Sequence, residues 1–429
     1  MRQAAHDLNT DPQIEAPAQE AAGDEPFVPP VPRISIQAFC ETETTANMLD
    51  VASQDRRLGR AHVTVQMGGV DAAVAFYGDA PTPNLIIIES VLQGDAMGAD
   101  LGRLAEVCDA GTKVVVIGHI NDVLLYRELM RSGVSEYLVA PLEPLSVINS
   151  IGGLYQDPDS EPLGRVIAFV GAKGGVGSST IAHNTAWSIA EGYSSDVIIA
   201  DLDLPFGTAA LDFNQDPPQG IAEAVLSPER LDDVLLDRLL AKCSKHVSLF
   251  AAPSSLDQVY DIDPQAFDSV LNVARQNVPN IVLDVPHIWT GWARSVLLAA
   301  DDIVVTAVPD LANLRNAKNL LDLLKQNRPN DRKPYILLNQ VGMPKRPEIS
   351  AKDFSEALDL DPVATIQFDP QLFGDAANNG QMIQEMSAGS KPAETFNHLA
   401  ALVTGHEQST VAKKSILGPI LEKLKRKKG

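Results

Sequence analysis

Short, unbroken runs of Val, Ile and Leu recur along this chain, each followed by a stretch of helical character. NLIIIES (84–90), KVVVIGH (113–119) and SEYLVAP (135–141) have strand length, and AMGADLGRLAEVCDAG and NDVLLYRELMRSG between them have helical patterning. A strand buried on one face alternates apolar with polar residues. A continuously apolar strand is buried on both, which calls for a parallel sheet covered by helices on each side. Residues 33–155, starting with RISIQAF, therefore predict a doubly wound α/β domain of five strands. The alternation pauses at LYQDPDSEPLG (154–164), so 156–164 reads as a linker of Asp, Pro, Ser and Gly. Beyond it RVIAFVGA, DVIIADLD, VSLFAAPS, NIVLDVP, DIVVTAVP and YILLNQV predict a second, larger parallel sheet over 165–405.

Composition narrows what these domains serve. The chain has 429 residues, 45% of them hydrophobic, enough for several globular cores. Residues 1–32 are acidic and Pro/Ala-rich, predict a disordered tail and lack the apolar core of a secretory signal. No run reaches the roughly 18 apolar residues of a membrane span. A net charge of −22 argues against holding nucleic acid through the overall field, so no nucleic-acid partner is expected. Cys40, Cys108 and Cys243 are widely spaced and read as free thiols of a reducing cytoplasm.

RVIAFVGAKGGVGSSTIAHNTAWSIA reads as strand, glycine loop and helix, the context a phosphate-binding loop requires. Gly174, Gly175 and Gly177 let the backbone aim its N–H groups at phosphate oxygens, and the helix adds its positive end. Ser179 stands where such loops bind Mg2+. The general pattern G-x-x-x-x-G-K-[ST] is broken twice: Ala172 replaces the first glycine, and Ser178 replaces the lysine that normally contacts the β- and γ-phosphates.

Lys173 precedes the glycines. The run Lys173, Gly174, Gly175, Val176, Gly177, Ser178, Ser179, Thr180 resembles the deviant Walker A motif, KGGxGK[ST][ST], of the MinD, ParA and nitrogenase iron-protein family. That resemblance implies ATP and Mg2+ as cofactors, a sandwich homodimer, and a Lys173 that reaches the partner's phosphates. DVIIADLDLPFGTAALDF (196–213) resembles the family's switch I, with Asp201 and Asp203 holding the Mg2+ water shell and Asp203 orienting the attacking water. NIVLDVPHIWTG resembles Walker B, with Asp284 reaching Mg2+ through water. Asn339 in YILLNQVG matches an adenine contact, and TIQFDPQLFGDAANNGQMI (365–383), with Asp369 and Pro370, resembles the adenine-side loop. With Ser178 neutral, hydrolysis is expected to be slow or absent.

Residues 33–155 resemble a response-regulator receiver stripped of its chemistry. Strand 1 lacks the acidic pair, Glu89 stands at the phospho-acceptor position, Gly118 replaces the Thr or Ser, and Ala140 replaces the lysine ahead of Pro141. The reading is a docking or dimerisation module that is not phosphorylated; a sharper one has Glu89 mimic a phosphorylated aspartate. In the segment 406–429, Lys413, Lys414, Lys423, Lys425, Arg426, Lys427 and Lys428 accompany an apolar stripe of Ile416, Leu417, Ile420, Leu421 and Leu424. That pattern suits an anionic membrane surface through 413–429, or else a partner-binding helix or solvated tail. A degenerate receiver fused to a deviant-Walker domain resembles the CpaE/TadZ proteins of the Flp/Tad pilus system. This implies a cytoplasmic assembly factor peripheral to the inner membrane, often at a pole, partnering the pilus secretion ATPase and its inner-membrane platform. The alternative is a ParA-like partitioning ATPase acting on DNA or other cargo.

Overall fold

The structure, a computed structural model, describes residues 28–156, 163–256, 258–260 and 262–406. The 413–429 tail and residues 1–27 lie outside these. Of the tail expected over 1–32, residues 28–32 are described. Val28 and Val31 are buried in the first core, and Val31 donates its N–H to the Arg57 carbonyl at 2.8 Å.

The first sheet contains β1 (Ser35–Cys40), β2 (His62–Met67), β3 (Leu85–Glu89), β4 (Lys113–Gly118) and β5 (Glu136–Val139), ordered β2-β1-β3-β4-β5 and parallel throughout. This is the five-stranded doubly wound arrangement expected. The strand that the apolar runs did not reveal is β2, whose HVTVQM lies half-exposed at the sheet edge.

The second sheet contains β6 (Arg165–Gly171), β7 (Val197–Asp201), β8 (Ala241–Lys242), β9 (Val247–Phe250), β10 (Asn280–Val285), β11 (Asp302–Ala307), β12 (Tyr335–Val341) and β13 (Ala364–Gln367). Their order is β13-β12-β11-β6-β10-β7-β9-β8. Seven strands run parallel, and only the two-residue β8 pairs antiparallel, at the edge. Part of the expected adenine-side loop is instead secondary structure: Thr365–Gln367 belongs to β13, and Pro370–Asn379 is a helix. Side chains alternate across the sheet, so Val166, Ala168 and Val170 enter one core while Ile167 and Phe169 enter the other.

The two domains meet through buried charge. Arg56 and Arg57 form a 3-10 turn after the helix Glu43–Ser53. Arg56 pairs with Asp331 (2.8 Å) and Asp301 (3.1 Å), and Arg57 also reaches Asp331. Arg328 and Arg275 close the same network from within the second domain. Asp301 and Asp331 precede β11 and β12, at the amino ends of the strands. The first domain therefore docks on the edge of the second sheet opposite the phosphate loop that follows β6.

Asp331→Asn would leave Arg56, Arg57 and Arg328 without their shared carboxylate. Its expected cost is about 3–5 kcal/mol, read as a lower denaturant midpoint. Burial opposes the Asp331 charge, but Arg56 and Arg328 more than offset it and hold the carboxyl down at about 2 against an ordinary 3.8. Its stabilisation is therefore full above 3.8 and lost as pH falls toward 2, which acid titration of the melting temperature would follow.

Candidate functional site

Strand β6 runs into the loop 172–177, and the loop ends in the helix Ser178–Tyr193. Gly175 (φ 78°) and Gly177 (φ 86°) adopt the left-handed conformation that a tight, phosphate-sized nest requires. A side chain at Gly177 would also strike the Asn339 amide 2.7 Å away. The loop is braced from below. Ala172 N–H donates to the Thr306 carbonyl (2.8 Å), Asn316 Nδ2 to the Ala172 carbonyl (2.9 Å), and His287 Nδ1 to the Gly171 carbonyl (2.8 Å).

Above the loop lies a cleft of about 890 Å3, lined by Lys173 through Thr180, Asp203, and the β7 and β10 loops. That is ample room for a nucleotide. Lys173 is exposed at this cleft; burial would raise the Asp310 carboxyl, but hydrogen bonds from Asn313, helped by the Lys173 charge, hold it below its usual range. Val176 is buried, and Ser179 and Thr180 are half-buried. Ser178 Oγ is buried with no hydrogen-bond partner, an orphan that a bound phosphate or a water would satisfy. The donors present therefore fit a phosphate-bearing ligand.

Beneath the cleft, Asp201 and Asp284 face each other in the β7–β10 register, both almost fully buried. Burial and the Asp284 charge push Asp201 up to about 7, against the pull of His183 and two backbone N–H groups. Those groups belong to Asp203 (3.1 Å) and Ala209 (3.1 Å). Burial raises Asp203 as well, though it is only half-buried. Among the described residues no group of three or more His, Cys, Asp or Glu side chains is arranged to hold a metal ion by itself. This donor set suits a hard cation held through water, Ser179 and phosphate oxygens.

Asn339 sits below the loop. Its Nδ2 donates to the Val176 carbonyl (2.8 Å), its Oδ1 accepts from Gln340 N–H (2.8 Å), and Gln340 in turn reaches the Gly175 carbonyl (3.2 Å). Its amide is thus occupied in bracing the loop. The motif pattern had also passed over His183. This fully buried ring holds Asp212 Oδ2 at 2.7 Å from Nδ1 and lies 3.4 Å from Asp284 Oδ2 at Nε2. The second contact has ion-pair distance but no hydrogen-bond geometry. Burial opposes a charged ring, yet Asp212 and Asp284 outweigh it and raise the pKa to about 10. The available signal was its place four residues after Ser179, on the same helix face.

In the first domain Glu89 ends β3 with 0% exposure. Its carboxylate accepts from Glu41 N–H and Thr42 N–H (2.8 Å each), Thr42 Oγ1 (2.8 Å), Thr45 Oγ1 (2.6 Å) and His119 Nε2 (3.1 Å). Burial alone would raise its pKa, but the Thr45, Thr42 and Glu41 hydrogen bonds lower it, so the group is ionised and satisfied. At Gly118 any Cβ would collide with the Tyr137 ring, which fills the space a Thr or Ser would need.

Among known proteins, a family model described as "AAA domain" (AAA_31) matches residues 164–334. A septum site-determining protein MinD from Buchnera aphidicola subsp. Schizaphis graminum is 27% identical over 252 residues, 55% of this chain and 90% of that protein. The crystal structure of a ParA family ATPase from Chlorobium tepidum TLS is 25% identical, with a TM-score of 0.50, over 56% of this chain and 98% of that one. The N-terminal part is similar to a pilus assembly protein CpaE from Caulobacter crescentus CB15, solved by crystallography. That match is 50% identical over 100% of that chain and 30% of this one, with a TM-score of 0.30.

Glu89→Gln could keep an oxygen for the Glu41 and Thr42 N–H groups, but it would remove the charge and set an NH2 donor where Oε1 accepts from Thr42 Oγ1, Thr45 Oγ1 and His119 Nε2. The first domain is expected to lose about 2–4 kcal/mol, measured by chemical denaturation. Incubation with a small phosphodonor such as acetyl phosphate is expected to leave the wild-type domain unlabelled; clear labelling would end the reading of an inert receiver.

Proposed function

Because the chain belongs to the CpaE pilus-assembly family and carries a MinD/ParA-type nucleotide-binding domain, we propose that it is an ATP-dependent localisation and assembly factor. It serves the Flp/Tad pilus secretion machine, as a dimeric switch at the inner membrane. The observation that carries this is the combination of a braced phosphate loop with an exposed Lys173 and an apolar rim. Phe206, Leu256, Val259 and Ile288 line the cleft yet are solvent-exposed. A second copy closing over the cleft would cover them and bring its own Lys173 to the phosphates.

ATP would be held by the amides of 173–180, and Mg2+ by Ser179 with Asp201, Asp203 and Asp284 acting through water. Asp203 would orient the attacking water, while Asn339 would meet the base only by releasing the Val176 carbonyl. Bound Mg·ATP supplies the charge that binds the two halves together. Ser178 contributes a hydroxyl where a lysine would stabilise charge on the reacting phosphates, so the site favours retention of ATP over its turnover. Dimerisation would also pair two basic 413–429 segments, raising avidity for an anionic membrane. The pilus secretion ATPase and its inner-membrane platform are the partners this reading names.

Three proteins test it: wild type, Ser178→Lys and Lys173→Ala, each measured for ATP affinity, turnover and mass in solution. Wild type should bind Mg·ATP, dimerise with it and turn over slowly. Ser178→Lys should raise turnover about tenfold or more, the scale of one charged contact to a reacting phosphate. Lys173→Ala should bind ATP as a monomer. Failure of wild type to bind any nucleotide would overturn the proposal. Deleting 413–429 should abolish binding to vesicles containing anionic lipid, and an intact protein that ignores such vesicles would remove the membrane from it.

A further inference from the structure

The helix leaving the phosphate loop carries a histidine at a position walled by apolar neighbours. Ile181, Ala182 and Ala186 surround it in sequence and are as buried as His183 itself. Its two nitrogens meet carboxylates from two other elements. Nδ1 bonds Asp212, the last residue of the short helix Ala209–Asp212, at 2.7 Å. Nε2 faces Asp284 at the carboxyl end of β10, at 3.4 Å. The Phe213 ring lies against the imidazole, with centroids 5.8 Å apart.

The segment that joins Asp201 to Asp212 is thereby tied at both ends. Asp201 Oδ2 accepts the Ala209 N–H at its start, and His183 holds Asp212 at its finish. Gly207 is required between them, since a Cβ there would run into Asp201 Oδ2. Among the described residues no lysine or arginine forms an ion pair with Asp201, Asp212 or Asp284. One imidazole thus meets two of these carboxylates, and through Asp212 it ties the far end of the 201–212 segment to the phosphate-loop helix.

We propose that His183 is a positioning residue of the nucleotide site: it rivets the 201–212 segment and Asp284 to the phosphate-loop helix, so that the acidic side of the cleft is assembled before nucleotide arrives. It does not face the cleft and does not replace the lysine missing at Ser178; it acts through Asp212 and Asp284. The role as part of a nucleotide site rests on the reading under Proposed function. The rivet itself is read in the ligand-free protein, so the two can fail separately.

The full-length protein without ligand is compared with His183→Gln and Asp212→Asn, singly and combined, by hydrogen exchange. Both single variants should speed exchange across 203–213 about tenfold or more, the scale of one charge-assisted hydrogen bond, while β6, β10 and β11 keep their protection. The double variant should exchange no faster than the singles, because both cut one link. Should His183→Gln fail to fold, Asp212→Asn cuts the same link from its more exposed end. With Mg2+ present, ADP affinity should fall in both variants, whereas affinity measured in EDTA should hold, since the loop amides are untouched. Uniformly faster exchange, unchanged exchange in 203–213, or additive effects in the double variant would each reduce His183 to a packing residue. Exchange as expected with no nucleotide affinity in wild type would leave the rivet standing and end the nucleotide reading.

Discussion

Strand β6 is paired in parallel on both sides, with β10 and with β11, and that double pairing constrains everything around it. Parallel strands end together, and each must leave the sheet through a connection that crosses a face. Where the connections from β6 and its neighbours diverge, a crevice opens at the carboxyl ends. The loop 172–177 fills it, with Thr306 on β11 holding Ala172 and Asp284 ending β10 beside it. The same parallel alignment brings Asp301 and Asp331 together at the opposite edge, where Arg56 and Arg57 dock.

The protein carries an excess of acid, and among the described residues several buried carboxylates have dedicated partners. Glu89 is neutralised by N–H and hydroxyl donors with a single histidine. Asp331 is neutralised by three arginines. Asp212 and Asp284 share His183. The distinction matters physically. A carboxylate ringed by neutral donors fixes local geometry, as Glu89 fixes the start of the helix Glu43–Ser53. A carboxylate shared between elements far apart in sequence couples them, since moving either one strands a buried charge.

Much of the fold was legible because burial on both faces leaves an unmistakable pattern. LIIIE, VVVIG and NIVLDV declare their strands without help from context. The edges were not legible: HVTVQM alternates weakly, β8 has two residues, and Ala364–Gln367 lies within a stretch whose motif suggested a loop. At the site, Lys173 and Asp203 line one cleft, and Asp201 and Asp284 lie beneath it. The motif read Asn339 as an adenine contact and gave no sign of its hold on Val176, because a motif records position and not hydrogen bonds.

By itself the amino-acid order determined that there are two wound sheets, where the glycine loop falls, and that Ser178 stands where the general pattern has a lysine. These follow from local rules: side-chain period, glycine freedom and spacing within one strand–loop–helix unit. Only the tertiary structure decided that His183 would meet Asp212 and Asp284, that Arg56 would meet Asp331 across 275 residues, and that Glu89 would be sealed by the turn after β1. Each of those contacts joins residues that no local period relates. Their strength comes from exclusion of water, which exists only once the sheets have packed.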